Sequence, residues 1–161
     1  MDFKTQLVYD LNKSQVSNLA SEIETRLAGV DQTMGLFAQL TKSQKDQLIE
    51  GLFAKNKDVV ALQVYKKDHR QADQSFHKQE FLETYGLEPD QFLKKVQNTV
   101  EIPVDVIMSR GKAIWNASVE GHPPLIGYGK LVLVMDENQK PLDQWVLVSY
   151  LKIDSFLKSV S

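Results

Sequence analysis

Lys130 is the chemically conspicuous residue of this 161-residue chain. It interrupts the apolar run Leu125–Met135, LIGYGKLVLVM. In a strand, alternation puts its amine on the side of Ile126, Tyr128 and Val132. An ammonium among apolar groups needs a counter-charge or a route to water. The counter-charge is either a ligand carboxylate or phosphate, or an acid of the protein itself. Trp115 and Tyr128 can supply an aromatic wall, although core packing is the more frequent use of such rings. His122 stands in a turn between Gly121 and Pro123, where it is solvated or closes over a pocket. Arg110 and Lys112 flank the turn Ser109–Lys112, and plain solvation accounts for both. Lys130, Tyr128, Trp115, His122 and Arg110 form the candidate ligand-binding set.

Other chemistry finds less support. There is no Gly-x-Ser-x-Gly elbow, no phosphate-binding P-loop and no His-Glu-x-x-His pair, so no catalytic residue is assigned and no enzyme is expected. Gly127-Tyr128-Gly129 is part of a dinucleotide fingerprint, but it opens a strand and offers no helix N-terminus to a phosphate. It reads instead as a bend or a close backbone approach. Asp73, His77 and Glu80 would share one helix face at i, i+4 and i+7, a spacing that usually marks a solvated face, so no metal is assigned. The absence of cysteine excludes a disulfide scaffold, a thiolate zinc site and a thiol nucleophile. No cofactor is expected. A net charge of −2 gives no pull toward nucleic acid.

The elements that must position the candidate set are legible as periodicities. Residues 2–40 carry apolar side chains every three or four positions, at Phe3, Leu7, Leu11, Leu19, Ile23, Leu27, Val30, Met34 and Phe37, which predicts one long helix. Its middle, around Asn12–Gln15, is polar, so the first part is expected to project while the second covers a core. Gly29 and Gly35 lie in that apolar half, where they predict a close approach between helix backbone and sheet. Thr41 and Gln44 form a capping box for a second helix to about Lys55. Val59–Tyr65 predicts a buried strand. Lys66–Gln74 reads as a loop. Helices are expected at Phe76–Tyr85 and Pro89–Val100, and a short strand at Val104–Met108. Ala113–Val119 and the long hairpin Leu125–Leu151 supply the last strands, with Asp136–Pro141 as the turn. Leu131–Met135 and Trp145–Val148 are apolar at consecutive positions, which predicts strands covered on both faces. A terminal helix is expected at Ile153–Val160. The order gives an α+β fold with an antiparallel sheet.

Three stretches then carry a resemblance: Asn56–Tyr65, Gly127–Val134, and Val146–Val148 leading to Leu157. With the element order they resemble the extracytoplasmic PAS-like sensor domains of bacterial receptors, the Cache group, in its single form. The resemblance implies a five-stranded antiparallel sheet with the first strand central and a long N-terminal helix packed on one face. Short helices and loops on the other face would enclose a ligand pocket. It also implies a division into a signalling helix, 1–40, and a sensor unit, 41–161. The family's Asp-x-x-Gly turn is replaced here by Lys66–Arg70. The Arg and Trp-Tyr cluster of its amino-acid-binding members is missing, which argues against an amino-acid ligand.

The expected function is therefore ligand sensing outside the cytoplasm for a histidine kinase, chemoreceptor or nucleotide cyclase, with a small anionic molecule as ligand. Both ends read as cut from a longer chain, and the resemblance implies membrane tethering by segments beyond them. A homodimer through the N-terminal helix is the expected protein partnership. The alternative is a dimerisation or spacer module without a small-molecule ligand.

Overall fold

The protein is described by a computed structural model covering residues 28–66, 70–121 and 123–152. The elements run α1 (Ala28–Phe37), α2 (Lys42–Lys55), β1 (Val59–Tyr65), β2 (Gln74–His77), α3 (Gln79–Tyr85), α4 (Pro89–Thr99), α5 (Val104–Arg110), β3 (Lys112–Asn116), β4 (Leu125–Met135) and β5 (Pro141–Lys152). The strands form one five-stranded antiparallel sheet in the order β2-β1-β5-β4-β3. The fold is α+β.

The hairpin β4–β5 is the longest strand pairing of this sheet. Asp136 shapes its turn, as an Asp in a turn is expected to do. The Asp136 carboxylate accepts from the amides of Asn138 at 2.8 Å and Lys140 at 2.9 Å. β1 then docks on the free side of β5, from Val59 opposite Leu151 to Tyr65 opposite Val146. The expected central position of the first strand is corrected here. β5 is central because it carries its hairpin partner on one side and β1 on the other.

Two layers cover the sheet. On one face α1 and α2 bring Val30, Met34, Phe37, Ile49 and Leu52 against Leu62, Val64, Ile126, Tyr128 and Leu147. Val30, Met34 and Phe37 recur at helical spacing, so one stripe of α1 meets the strands. On the other face α3, α4 and α5 bring Phe81, Leu82, Phe92, Leu93, Val96 and Ile107 against Tyr65, Val146, Val148 and Tyr150. Every residue of β1 is buried, as a doubly covered strand requires. The cover is shorter than the hairpin, however. Leu125–Gly129 and Val146–Leu151 are buried, whereas Leu133 is 39% exposed and Pro141–Gln144 is exposed. Within the consecutive apolar run at Leu131–Met135, Val132 is buried, Leu131, Val134 and Met135 are half-buried and Leu133 is exposed, so the cover thins along it.

Thr41 caps α2 as anticipated, accepting from the Gln44 amide while the Gln44 side chain accepts from the Thr41 amide. The close approach expected at Gly35 is not found there. A Cβ at that position would lie 3.8 Å from the Lys130 amine, an ordinary contact. Gly35→Ala is therefore expected to raise stability by up to about 1 kcal/mol, through helix propensity alone. A urea midpoint at or below that of the parent chain would show that Lys130 cannot share the space.

Three local expectations are corrected. Gln74–His77 is an edge strand, so the expected loop ends before Gln74 and the helix expected from Phe76 begins only at Gln79. Its polar sequence suits an edge, and Phe76 supplies the anchor, meeting the Phe37 ring edge-on with centroids 5.9 Å apart. Asp73, His77 and Glu80 consequently share no helix face. The Asp73 carboxylate instead accepts from the Lys66 amide at 2.7 Å. Val104–Arg110 is the helix α5, not a strand. Its β-branched residues suggest extended structure, but Gly111 ends the segment at φ 86°, a left-handed helix cap open to glycine. Packing then buries only Ile107. The expectations for residues 2–27, for the terminal helix Ile153–Val160 and for dimerisation through Leu7 and Leu11 lie outside the described residues.

Candidate functional site

Antiparallel register gathers one group of side chains that the sequence keeps far apart. β1 starts beside the ends of its two neighbours: Val59 lies opposite Leu151 of β5, and Ala61 lies opposite His77 of β2. The amide of Lys152 donates to Asp58 O at 2.8 Å and that of Lys78 to Val60 O at 2.8 Å. Lys57, Lys78 and Lys152 thus meet at one end of the sheet, Lys57 in the turn leading into β1, Lys78 just after β2 and Lys152 at the end of β5. They line a cleft of about 550 Å³. That is a ligand-sized volume, within the range of about 300–1,000 Å³.

The cleft spans both covering layers. Phe53 and Ala54 reach it from α2, on one face of the sheet. Phe81, Thr84 and Tyr85 reach it from α3, on the other. Phe81 is buried and stacks at a tilt on both Phe92 and Tyr85, with ring centroids 5.6 Å and 5.1 Å away. This fixes Tyr85 in place although its side chain is 44% exposed. The wall is aromatic and held from behind.

Lys78 is the innermost cation. Its ammonium donates to Asn56 O at 3.3 Å and Lys57 O at 3.1 Å, carbonyls just past the C-terminal end of α2. A cation there also meets the negative end of the helix dipole. The ammonium lies 5.9 Å from the Phe53 ring centre. Its pKa is lowered by burial first and then by the neighbouring charge of Lys152, while Glu80 and Asp58 pull the other way. Three ammoniums with one acid, Glu80, on the wall make the cleft attractive to an anion.

The sequence-predicted residues are not brought together. Tyr128 and Lys130 lie on the α1 face of the sheet, Tyr128 buried and the Lys130 amine beside Gly35. Trp115 lies on the opposite face, packed among the side chains under α5. Its indole covers Gly127, where an added Cβ would come within 2.3 Å of the ring. The Gly-Tyr-Gly pattern is thereby explained as close approach of a side chain to strand backbone. Arg110 is the exposed last residue of α5. His122 lies outside the described residues. The sequence reading did not single out Lys57, Lys78, Lys152, Phe53 or Tyr85. A lysine at or next to an end of each of three strands is a signal only once their register is known.

A second, smaller cleft of about 390 Å³ lies between the start of α2 and β2, lined by Lys42, Lys45, Gln74 and Phe76 among others. Its inner lysine already has aromatic partners. The Lys45 ammonium sits 5.0 Å from the Phe37 ring centre and 5.2 Å from that of Trp145, and Lys66 sits 4.6 Å from Trp145. These cation–π contacts brace α2 on the sheet. Among the described residues no group of three or more metal-capable side chains occurs, and no helix is long and apolar enough to cross a membrane.

No family model matches the chain, and no curated protein matches its sequence.

Proposed function

We propose that this chain is the extracytoplasmic, PAS-like sensor domain of a bacterial transmembrane signalling receptor, of the single Cache kind, and that it binds a small anionic molecule. The observation that carries the reading is the cleft at the open end of the sheet, where three lysines converge on an aromatic wall and the two covering layers meet. A ligand there touches α2 on one face of the sheet and α3 on the other. The five-stranded antiparallel sheet and the seating of α1 on it through Val30, Met34 and Phe37 also support the reading.

The domain itself performs no catalysis. Its output is a change in how the helical layers pack on the sheet, passed along the N-terminal helix to a histidine kinase, chemoreceptor or nucleotide cyclase in the same receptor. Such a change requires that the ligand bind one arrangement more tightly than the other. Tethering on the outer face of the inner membrane places the cleft where small solutes arrive.

A thermal-shift screen of carboxylates, phosphates, amines and sugars tests the reading. A ligand at 100 times its Kd adds about 2.7 kcal/mol to the native state, so a rise of several degrees in Tm is expected for at least one anion. If no compound raises Tm and the chain self-associates through Leu7 and Leu11, the dimerisation or spacer module replaces the sensor.

A further inference from the structure

We infer that the ligand of this cleft is a small anion carrying an aromatic ring, its carboxylate or phosphate held by Lys57 and Lys152 and its ring laid against Tyr85. This deepens the sensor reading and rests on it.

Two features of the cleft separate such a ligand from a bare anion. The first is the division of labour among the lysines. Lys78 already spends hydrogen bonds on Asn56 O and Lys57 O, so it is anchored as part of the wall. Lys57, in the turn before β1, is exposed, and Lys152, at the end of β5, is half-buried. Both line the cleft, so the two ammoniums can reach one anion within it. The charge of Lys152 is felt at Lys78, so the cations are close enough to repel one another, and an anion among them relieves that repulsion.

The second feature is the ring of Tyr85. Leaving a large aromatic side chain 44% exposed gains little for the fold. Here the ring is held by Phe81, itself backed by Phe92, so it is presented to the cleft and not loosely solvated. A fixed aromatic face beside a cationic end fits an occupant that is apolar at one end and anionic at the other. Glu80 stands on the same wall and disfavours a second negative charge at the far end of the ligand.

The test is isothermal titration calorimetry of the full chain with benzoate, phenyl phosphate, inorganic phosphate and benzylamine. The first two share the ring and differ in the anion, so they report which acid group is preferred. At least one of them is expected to bind ten-fold or more tightly than inorganic phosphate, and benzylamine not at all. Lys57→Ala combined with Lys152→Ala should weaken that binding at least ten-fold. Lys57→Ala alone, at an exposed position, supplies a folded control with a smaller loss. Tyr85→Ala should bring the aromatic anion down to the level of inorganic phosphate. Binding unchanged in the double lysine variant, or benzylamine binding as tightly as the anions, overturns the inference. If an anion without a ring raises Tm in the screen while benzoate and phenyl phosphate fail to bind, this inference falls and the sensor reading stands. If nothing in the screen raises Tm, both fall.

Discussion

Gly127→Ala is expected to lower stability by about 3 kcal/mol, the upper end of what overpacking a filled site costs. An alanine Cβ at residue 127 would fall 2.3 Å, 2.6 Å and 2.7 Å from three atoms of the Trp115 indole. No flexible tip is involved. The contact is with the fused ring itself, directly across the strand pair in register. The ring cannot slide along β4 without leaving Gly129, whose own Cβ position is 2.5 Å from Ile107 and 3.1 Å from the same indole. So Trp115, Gly127, Gly129 and Ile107 form one interlocked group that fastens the edge strand β3 and the helix α5 to the sheet. The check is urea unfolding of Gly127→Ala, Trp115→Ala and the double variant. Trp115→Ala alone removes half-buried area and costs on its own account. In the double variant the clash is absent, and the two effects should fall short of their sum by about 1–2 kcal/mol, a coupling typical of residues in contact. Additive losses would mean that the indole is not seated on the glycine.

Alkaline pH is expected to unfold the protein from the tyrosine side. Tyr65 and Tyr150 are fully buried or nearly so under α3 to α5, with exposures of 0% and 1%. Burial raises the pKa of both, and for Tyr150 the neighbouring Tyr65 adds to the effect. The sign follows from proton counting. Once pH exceeds the unfolded value of about 10, the unfolded chain has released protons that the native state still holds, so stability falls as pH rises. Below that pH the contribution is fully present. Each tyrosine costs about 1.4 kcal/mol per pH unit inside the window, so two together cost about 2.7 kcal/mol per unit. Urea midpoints measured from pH 9 to pH 11.5 should bend downward near pH 10. Tyr150→Phe should halve the slope. Tyr65→Phe is a less direct probe, because the Tyr65 hydroxyl donates to the Gln63 side chain at 2.7 Å and its removal leaves a buried acceptor unmatched. A flat profile through pH 11 would mean that water reaches both hydroxyls in the native state.

The Tyr65 to Gln63 bond also shows why part of the interior was invisible beforehand. Gln63 is 2% exposed, yet within the apolar run VVALQVY it is only a polar interruption. Its role depends on Tyr65 two residues on, and on Ser75 of β2, whose hydroxyl lies 3.3 Å from the Gln63 amide nitrogen. The Ser75 partner cannot be assigned without knowing that β2 exists and pairs with β1. Phe76 and His77 read as the start of a helix because the spacing from Phe76 to Phe81, Leu82 and Tyr85 does suit one. Edge pairing overrides that local preference, since β1 offers a row of backbone groups that must be matched. Val104–Arg110 fails in the opposite direction, where β-branched residues fold as a helix because Gly111 lets the chain turn straight into β3.

Lys130 illustrates a different limit. Alternation placed its amine correctly, on the side of Ile126, Tyr128 and Val132, because the period of a strand is fixed by its covalent geometry. What lay across from that side was not fixed. The structure sets α1 there, with Gly35 against the amine, whereas Trp115 is on the other side of the sheet. A candidate wall of Trp115, Tyr128 and Lys130 thus divides into two environments separated by the thickness of a sheet.

Local rules alone determined much of this protein. The capping box at Thr41 and Gln44, the buried strand Val59–Tyr65, the hairpin with its Asp136 turn and the α+β class all follow from residue types over a few positions, where capping, turn chemistry and periodicity act. The tertiary structure alone decided which strand is central, how far the helical layers reach along the hairpin, and which lysines meet. Lys57, Lys78 and Lys152 are separated by 20 and by 73 intervening residues, and only the antiparallel register of β2, β1 and β5 brings their charges to one cleft. Register is a property of paired strands, set by which faces can be buried together, and no single stretch of the sequence contains it.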